Sequence, residues 1–239
     1  MQVAVLMPTY NRAGLLEQAC QSLLNQTHQD WHAYIADDGS SVMPQPPTDP
    51  RFTFVRYTHG GLARNFNRLL KMWEAGGQER ATWLGDDDIL LPMALERMIA
   101  HQTADVVFSD LIYTNMTPLD EHFMGTAEGW GRRTCDPRRY SLDAASFHDN
   151  FNMGTAFMSR NVLAAPRFDT RFTTGIEDHL WVYGLFVHGC TFDHFPEVTK
   201  YYRIHDGNNS NVQRMIERPE YAIESALLEQ AVHELREGR

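Results

Sequence analysis

The chain has 239 residues, 43% of them hydrophobic, which is enough for one large domain or two small ones with a sizeable core. Its 31 acidic residues against 21 basic ones give a formal net charge of -10, which argues against binding nucleic acid or anionic membranes through bulk charge. No apolar run approaches the ~20 residues of a membrane-spanning helix, and no charged leader precedes the first strand pattern. We therefore expect a cytoplasmic protein, either free in solution or peripheral to a membrane.

Short apolar runs alternate with amphipathic helical patterns through the first half of the chain. Apolar residues that recur every three or four positions predict helices, whereas continuous or alternating apolar runs predict strands. Strands are expected near residues 3–7, 31–36, 52–57, 81–84 and 105–113, with helices near 15–24, 62–73 and 92–101. This alternation is typical of an α/β protein with a mostly parallel central sheet flanked by helices.

The second half of the chain is less regular, and residues 115–150 show little periodicity. A strand, or a strand and a turn, is expected over 152–159, a helix opens at Ile176-Glu177-Asp178-His179, and one or two strands lie between 190 and 203. A charged amphipathic pattern predicts a C-terminal helix over 214–236. Because no internal repeat or change in composition marks a linker, we expect a single domain over residues 1–239.

Polar side chains follow three of the predicted strands at the points where those strands end. Tyr10 and Arg12 follow the first strand, Asp37 and Asp38 end the second, and Asp86-Asp87-Asp88 follow the fourth. Because ligands of open α/β sheets bind at the carboxyl ends of the strands, we expect a shared pocket there. The aspartate triplet fits either a divalent metal site that holds a diphosphate or an acidic turn that caps the next helix.

Six short motifs occur in order along the chain, each at a predicted element boundary. They are Met7-Pro8-Thr9-Tyr10-Asn11-Arg12, Asp37-Asp38-Gly39-Ser40, Gly61-Leu62-Ala63-Arg64-Asn65, Leu84-Gly85-Asp86-Asp87-Asp88, Glu177-Asp178 and Tyr202-Arg203-Ile204-His205. Together they resemble the motifs of the family 2 glycosyltransferases, and in particular an SpsA-like member of the GT-A nucleotide-diphospho-sugar transferase fold. The resemblance is dense over residues 1–110 and thins to isolated motifs beyond them.

The resemblance implies a metal-dependent, inverting transfer of a sugar from a nucleotide-sugar, commonly a UDP-sugar, to an acceptor hydroxyl. It assigns residues 1–113 to donor binding, 114–212 to the acceptor and the catalytic base, and 213–239 to a C-terminal helix. The implied setting is polysaccharide or cell-envelope glycan synthesis, in which the acceptor is a glycan, a lipid-linked sugar or another hydroxyl compound, with or without phosphate. The implied donor-binding residues are Thr9, Tyr10, Arg12, Asp38, Arg64, Asp86 and Asp87.

The same resemblance gives individual roles to the donor-binding residues. Tyr10 would stack on the base or flank it, and Asp38 would accept a hydrogen bond from uracil. Arg64 would contact the base or the diphosphate through its guanidinium group. Asp86 would lie near the ribose, as in the SpsA-like variant.

The cofactor that the resemblance implies is Mn²⁺ or Mg²⁺. Asp87 falls on the carboxylate that most directly binds the metal, and His205 falls on a histidine that reaches the metal or the diphosphate. The acidic motif of the family is often Asp-x-Asp-Asp, whereas Gly85 stands at the first of these positions here. Asp88 is therefore a third candidate metal ligand that could compensate for the missing carboxylate.

The resemblance also implies that Asp178 is the catalytic base, with Glu177 orienting the acceptor or Asp178 itself. A carboxylate within hydrogen-bond reach can take the proton of an attacking hydroxyl. The structural alternative is that both acidic residues stabilise the start of the helix that follows them. Between the metal motif and this base lie four arginines that fit either a phosphate-bearing acceptor or a solvated loop: Arg132, Arg133, Arg138 and Arg139.

Other functions remain open at this point. A nucleotidyltransferase or sugar-nucleotide pyrophosphorylase would need a glycine-rich phosphate loop after the first strand, which the segment from Pro8 to Arg12 lacks. A non-catalytic nucleotide-sugar binding module is a further alternative, and the presence of both Asp87 and Asp178 argues against it. A glycosyltransferase acting on a phosphate-bearing acceptor, such as a modified nucleic acid, would fit the same motifs.

Overall fold

The computed structural model describes residues 1–114, 132–133, 152–173, 175, 177–205 and 219–237. The strands in these ranges are β1 (Val3–Thr9), β2 (Trp31–Asp37), β3 (Phe52–Arg56), β4 (Arg80–Trp83), β5 (Ile89–Leu90), β6 (Val106–Thr114), β7 (Arg132–Arg133), β8 (Ala156–Ser159) and β9 (Phe192–Arg203). The α-helices are α1 (Ala13–Leu24), α2 (Leu62–Gly76), α3 (Ala94–Ala100), α4 (Glu177–Val187) and α5 (Pro219–Arg236). Two short 3₁₀ helices cover Met153–Thr155 and Arg160–Ala164.

The described strands form one sheet in the order β3-β2-β1-β4-β8-β6-β9-β5, and β7 pairs with β6 outside this path. The strands β3, β2, β1 and β4 are parallel to one another, and β6 is parallel to β9. Between these two parallel groups, β8 runs antiparallel to both β4 and β6. The predicted mostly parallel sheet is thus confirmed, with the antiparallel strand β8 at its centre.

Two hydrophobic clusters cover the two faces of the sheet. On one face α2 packs through Phe66, Leu70 and Trp73 against alternate residues of β1, β2 and β4, among them Trp83. On the other face α1 and α3 contribute residues such as Leu23 and Leu95, which pack against the intervening strand residues. Because both faces are covered, the central strands are apolar at successive positions, as the sequence pattern predicts.

The parallel register brings the functional motifs to one edge of the sheet. Thr9 at the end of β1 pairs with Asp37 at the end of β2, and Leu6 pairs with Trp83 at the end of β4. The residues that directly follow these three strands therefore emerge side by side. The segment after β9 joins this edge because Ile204 N donates a hydrogen bond to Thr114 O, the last residue of β6.

The structure differs from the sequence prediction mainly at element boundaries. Ile89 and Leu90 form the short strand β5, which pairs with β9, and α3 begins at Ala94 rather than at the predicted Pro92. Such shifts of one or two residues are normal at helix ends. In the described part of the C-terminal segment, α5 begins at Pro219. None of the helices within the described ranges is both long and apolar enough to cross a membrane.

Candidate active site

The turn that follows β4 holds the aspartate triplet at the carboxyl edge of the sheet. Asp88 N donates to Gly85 O over 3.1 Å, which closes the turn. Thr9 Oγ1, at the end of β1, donates to Asp86 Oδ2 over 2.8 Å. Tyr10 N lies 3.4 Å from the same oxygen. Hydrogen bonds from the end of β1 therefore fix Asp86, and burial together with the neighbouring Asp87 charge raises the pKa of Asp86 to about 6.

Asp87 is the member of the triplet on which two other motifs converge. Arg12 Nη1 lies 2.7 Å from Asp87 Oδ2 and 3.0 Å from Asp86 Oδ1, so one guanidinium joins both carboxylates. His205 Nε2 lies 3.2 Å from the same Asp87 Oδ2. The Arg12, Asp87 and His205 side chains remain between 12% and 21% exposed, so the cluster is open to a ligand.

Asp88 points in a different direction, into the protein interior. Its Oδ2 lies 3.5 Å from Lys200 Nζ, and its Oδ1 accepts from the backbone N of Arg203 over 3.3 Å. Lys200 is fully buried and also donates to Trp83 O. Burial raises the pKa of Asp88 to about 7, although the Lys200 charge opposes this rise. The Lys200–Asp88 pair therefore holds the aspartate triplet from the interior side of the turn.

Lys200→Met is expected to lower the free energy of unfolding most above pH 7, by up to about 3–5 kcal/mol, because Asp88 is then buried in its charged form without its partner. Adding Asp88→Asn to this variant should recover at least half of the loss, since the uncompensated carboxylate is then gone. Urea denaturation of the two single variants, the double variant and the wild type gives the coupling. Additive losses in the double variant would contradict a direct interaction between the two side chains.

The absence of a side chain at position 85 has a steric reason in this structure. A Cβ atom placed on Gly85 would lie 2.9 Å from Asp87 Oδ1 and 3.3 Å from Asp88 Oδ2. Both carboxylates therefore fold over the glycine, and a side chain at the first motif position would require the Asp87 carboxylate to move. The carboxylates of Asp87 and Asp88 lie over the position that a side chain at residue 85 would take.

The Asp87–His205 pair suits one edge of the coordination sphere of an oxygen-preferring cation. Adjacent ligands of an octahedral ion with bonds of about 2.1 Å are about 3 Å apart, close to the 3.2 Å between Asp87 Oδ2 and His205 Nε2. Mg²⁺ commonly uses one or two protein ligands and takes the rest from phosphates and water. Within the described residues, no three His, Cys, Asp or Glu side chains form a complete protein cage. The geometry thus fits a cation shared with a phosphate-bearing ligand.

A second polar cluster lies at the end of β2 and surrounds Asp38. The Asp38 carboxylate is buried, and it accepts hydrogen bonds from Gly60 N and Gly61 N, both over 2.9 Å. Arg68 Nη1 donates to it over 2.6 Å, and His59 Nδ1 lies 2.9 Å away. The preceding Asp37 is fully buried and accepts from Ser40 N in the turn.

Tyr10 links the two clusters. Its backbone meets Asp86, whereas its half-exposed ring stacks on His59 with centroids 4.4 Å apart and an interplanar angle of 22°. Arg64 lies in the first turn of α2, where its exposed side chain passes close to Gly60. All of these groups face the edge of the sheet at which β1, β2 and β4 end.

Glu177 and Asp178 occupy the first turn of α4. Trp181, one turn further on, packs edge to face against Trp83 with ring centroids 6.1 Å apart, which ties the start of α4 to the end of β4. The Asp178 side chain is 31% exposed, and its Oδ1 accepts from His179 N. Glu177 is buried and accepts from Gly175 N over 2.9 Å. Burial, followed by the Asp178 charge, raises the pKa of Glu177 to about 8.

Glu177→Gln is expected to flatten the dependence of stability on pH. The native carboxyl group keeps its proton up to about pH 8, whereas its ordinary pKa is 4.5, so the unfolded chain loses that proton first. The unfolded state then binds fewer protons between these values, and wild-type stability falls as pH rises through them, by at most about 1.4 kcal/mol per pH unit.

Thermal unfolding of the Glu177→Gln variant and the wild type between pH 5 and pH 8 measures this difference. The exposed Glu79 provides a matched control, since Glu79→Gln should leave the pH profile unchanged. A Glu177→Gln profile parallel to the wild-type one would show that Glu177 ionises normally in the folded protein.

The structure brings together some of the sequence-predicted residues and separates others. Hydrogen bonds and ion pairs join one group directly: Thr9, Arg12, Asp86, Asp87 and His205. Asp88 turns away from this group, and within the described residues neither Glu177 nor Asp178 hydrogen-bonds to it. Arg132 and Arg133 form β7 beside β6, whereas Arg138 and Arg139 lie outside the described residues.

Three supporting residues could not be recognised from the sequence: Lys200, Arg68 and His59. Lys200 lies in a strand pattern in which a lysine normally faces solvent, and Arg68 lies on the polar face of an amphipathic helix. Each makes its contact with an aspartate at least 21 positions away. The sequence pointed to these partners only indirectly, because aspartates such as Asp38 and Asp88 require hydrogen-bond or charge partners once they are buried.

Comparison with proteins of known structure supports the fold described above. The chain is similar to S. aureus TarS in complex with UDP-GlcNAc, with a TM-score of 0.65 and 15% identity over 97% of this chain and 66% of that one. It is also similar to a Pyrobaculum calidifontis mannosyltransferase in complex with GDP-Man and Mn²⁺, with a TM-score of 0.57 and 16% identity over 98% of this chain and 72% of that one. These likenesses establish the GT-A type of fold.

The sequence itself gives the family. The model of glycosyl transferase family 2 matches residues 4–163, and the chain belongs to this family, as the six motifs predicted. Among its relatives is a Campylobacter jejuni protein named GalNAc(5)-diNAcBac-PP-undecaprenol beta-1,3-glucosyltransferase, 28% identical over 76% of this chain. An uncharacterized glycosyltransferase of Nostoc is 27% identical over 87% of it. The chain spans 59% of the length of the first relative and 66% of the second.

Proposed function

We propose that this chain transfers a sugar from a nucleotide-sugar, most simply a UDP-sugar, to an acceptor hydroxyl in a metal-dependent, inverting reaction. One observation carries the proposal: Arg12 and His205, which belong to two other motifs, both contact the same carboxylate oxygen of Asp87. A partly exposed site of this kind can accommodate a cation and a diphosphate together. Membership of the glycosyl transferase family 2 supports the reaction class.

In this proposal Asp87 and His205 hold Mn²⁺ or Mg²⁺, and Asp88 supports Asp87 from the interior. The bound ion would supply charge neutralisation for the departing nucleoside diphosphate. Arg12 lies beside the same oxygens and would contact the diphosphate with its guanidinium group. Asp86 and Thr9 would border the ribose, while Tyr10, Asp38 and Arg64 would form the surroundings of the base.

Asp178 is the proposed catalytic base of the transfer. Its partly exposed carboxylate, at the start of α4, would accept the proton of the acceptor hydroxyl as that oxygen attacks the anomeric carbon. Glu177 keeps its own proton at neutral pH and would position the acceptor or the first turn of α4. A single displacement by this route inverts the configuration at the anomeric carbon.

The acceptor is proposed to be a lipid-linked or polysaccharide glycan of the cell envelope. The support comes from the C. jejuni relative, whose name describes a PP-undecaprenol acceptor. Arg132 and Arg133, on the strand next to β6, would contact a phosphate of such an acceptor. The location that suits this role is the cytoplasmic surface of a membrane.

A thermal-shift panel of nucleotide-sugars, with and without Mn²⁺, tests the donor assignment. We expect one or two nucleotide-sugars to raise the melting temperature only in the presence of the metal, because binding to the folded state stabilises it. Absence of stabilisation by every nucleotide-sugar, with Mn²⁺ present, would argue against the proposal. Stabilisation without any turnover would favour the alternative of a non-catalytic binding module.

A further inference from the structure

His59 is an exposed histidine that the family motifs do not include, yet it contacts two proposed donor-binding residues. Its ring stacks on Tyr10 at a centroid distance of 4.4 Å. Its Nδ1 lies 2.9 Å from Asp38 Oδ2 and 3.1 Å from Asp38 O. Because both of these oxygens are acceptors, Nδ1 carries the proton, and its hydrogen bond goes to the backbone O of Asp38. His59 thus combines a planar ring over Tyr10 with an N–H group directed at Asp38.

The His59 imidazole covers the part of the Asp38 carboxylate that its hydrogen bonds leave open. An ionised carboxylate offers about four lone-pair sites. Gly60 N and Arg68 Nη1 hydrogen-bond to Oδ1 and Gly61 N to Oδ2, whereas His59 Nδ1 hydrogen-bonds to the backbone O of Asp38 and lies 2.9 Å from Oδ2. A further N–H donor can therefore reach the open side of Oδ2 only if His59 moves.

Of these four groups around the carboxylate, His59 is the one that can move most easily. Two of the others are backbone amides at the entrance of α2. Arg68 is further fixed by its hydrogen bond to Thr58 O and by its position over the Tyr57 ring. The His59 side chain is 57% exposed, and only its stacking on Tyr10 and its Nδ1 contacts are described.

We infer that His59 belongs to the nucleobase site and occupies the place that the base takes. This inference rests on the proposed function, in which Tyr10 and Asp38 surround the base. A uracil or guanine ring carries a planar face and a ring N–H, which are the two features that His59 presents to Tyr10 and Asp38. A bound base displaces the imidazole, and His59 thereby lowers the affinity of the site for nucleotides.

Removing the side chain should therefore strengthen nucleotide binding. His59→Ala uncovers Oδ2 of Asp38 and one face of Tyr10 without touching Arg12, Asp87 or His205. We expect a rise in affinity for UDP, or for GDP if the site takes guanine, of about 3- to 30-fold, the range of one hydrogen bond to a charged group. Calorimetric titration in the presence of Mn²⁺ measures the change.

Three controls separate the base site from the rest of the protein. His28→Ala removes a partly exposed histidine, which bonds only backbone oxygens far from the site, and it should leave the affinity unchanged. Inorganic pyrophosphate with Mn²⁺ probes the diphosphate site without a base, and it should bind wild type and His59→Ala equally. UDP methylated at N3 lacks the ring N–H, so its gain in the His59→Ala variant should be smaller than that of UDP.

The possible outcomes are distinct. Unchanged or weaker UDP and GDP binding by His59→Ala, with unchanged pyrophosphate binding, would overturn the inference and leave the proposed function intact. Equal gains for UDP and pyrophosphate would also overturn it, because the effect would not involve the base. Failure of the wild type to bind either nucleotide or pyrophosphate would refute the proposed function and the inference with it.

Discussion

Asp87→Asn is expected to reduce turnover by at least about 100-fold while leaving the fold intact. The substitution keeps the size of the side chain but removes the charge that Arg12 and His205 share. A loss of several kcal/mol of charge stabilisation at the diphosphate corresponds to a change of this size. Release of nucleoside diphosphate measures turnover, and titration with UDP measures the part of the affinity that depends on Mn²⁺.

The exposed Asp30 gives a matched control for this variant. Asp30 pairs with the chain N-terminus, and Asp30→Asn changes the net charge by the same amount without altering the site. Circular dichroism should be the same for both variants and the wild type. Turnover by Asp87→Asn that equals that of Asp30→Asn in the presence of Mn²⁺ would remove Asp87 from the metal site.

Asp178→Asn is expected to reduce turnover by about 10²–10⁴-fold, the usual contribution of a positioned general base. Asp178 lies at the start of α4, and among the described residues it makes no hydrogen bond to the acidic triplet. Affinities for UDP and Mn²⁺ should therefore stay close to those of the wild type. Titration calorimetry on the variant and the NMR coupling constant of the anomeric proton in the wild-type product test the two parts of this mechanism.

The Asp178 prediction can fail in three separate ways. A product with retained anomeric configuration would exclude a single displacement. Near-normal turnover of Asp178→Asn would exclude Asp178 as the base, even if the product is inverted. A parallel loss of UDP affinity would instead place Asp178 on the donor side of the site.

The order of the elements and the edge of the sheet that holds the site could be predicted from the sequence. Apolar runs such as the one from Val3 to Met7 end directly before polar motifs, and parallel strands bring their carboxyl ends together. The short strand β5 was not predictable, because two apolar residues before Pro92 pair with a strand more than 100 positions away. Long-range pairing of this kind leaves no local periodicity.

The directions of the side chains within the candidate site could not be predicted from the sequence. Three adjacent aspartates carry the same chemistry, yet Asp87 faces His205 while Asp88 faces Lys200 inside the protein. Which carboxylate turns inward depends on the ammonium group of Lys200 on β9, which lies 112 positions from Asp88 along the chain. In the same way, Asp38 could be assigned to a base from its motif, but the three groups that donate hydrogen bonds to its carboxylate could not be predicted.

The central claim is that Asp87 and His205 hold a divalent cation together with a nucleoside diphosphate. A crystal of the wild-type protein grown with UDP and MnCl₂, with anomalous scattering measured near the manganese edge, tests it most directly. One anomalous peak is expected about 2–2.5 Å from a carboxylate oxygen of Asp87 and from Nε2 of His205, in contact with the diphosphate. Bound UDP with the peak elsewhere, or with no peak near Asp87, would contradict it.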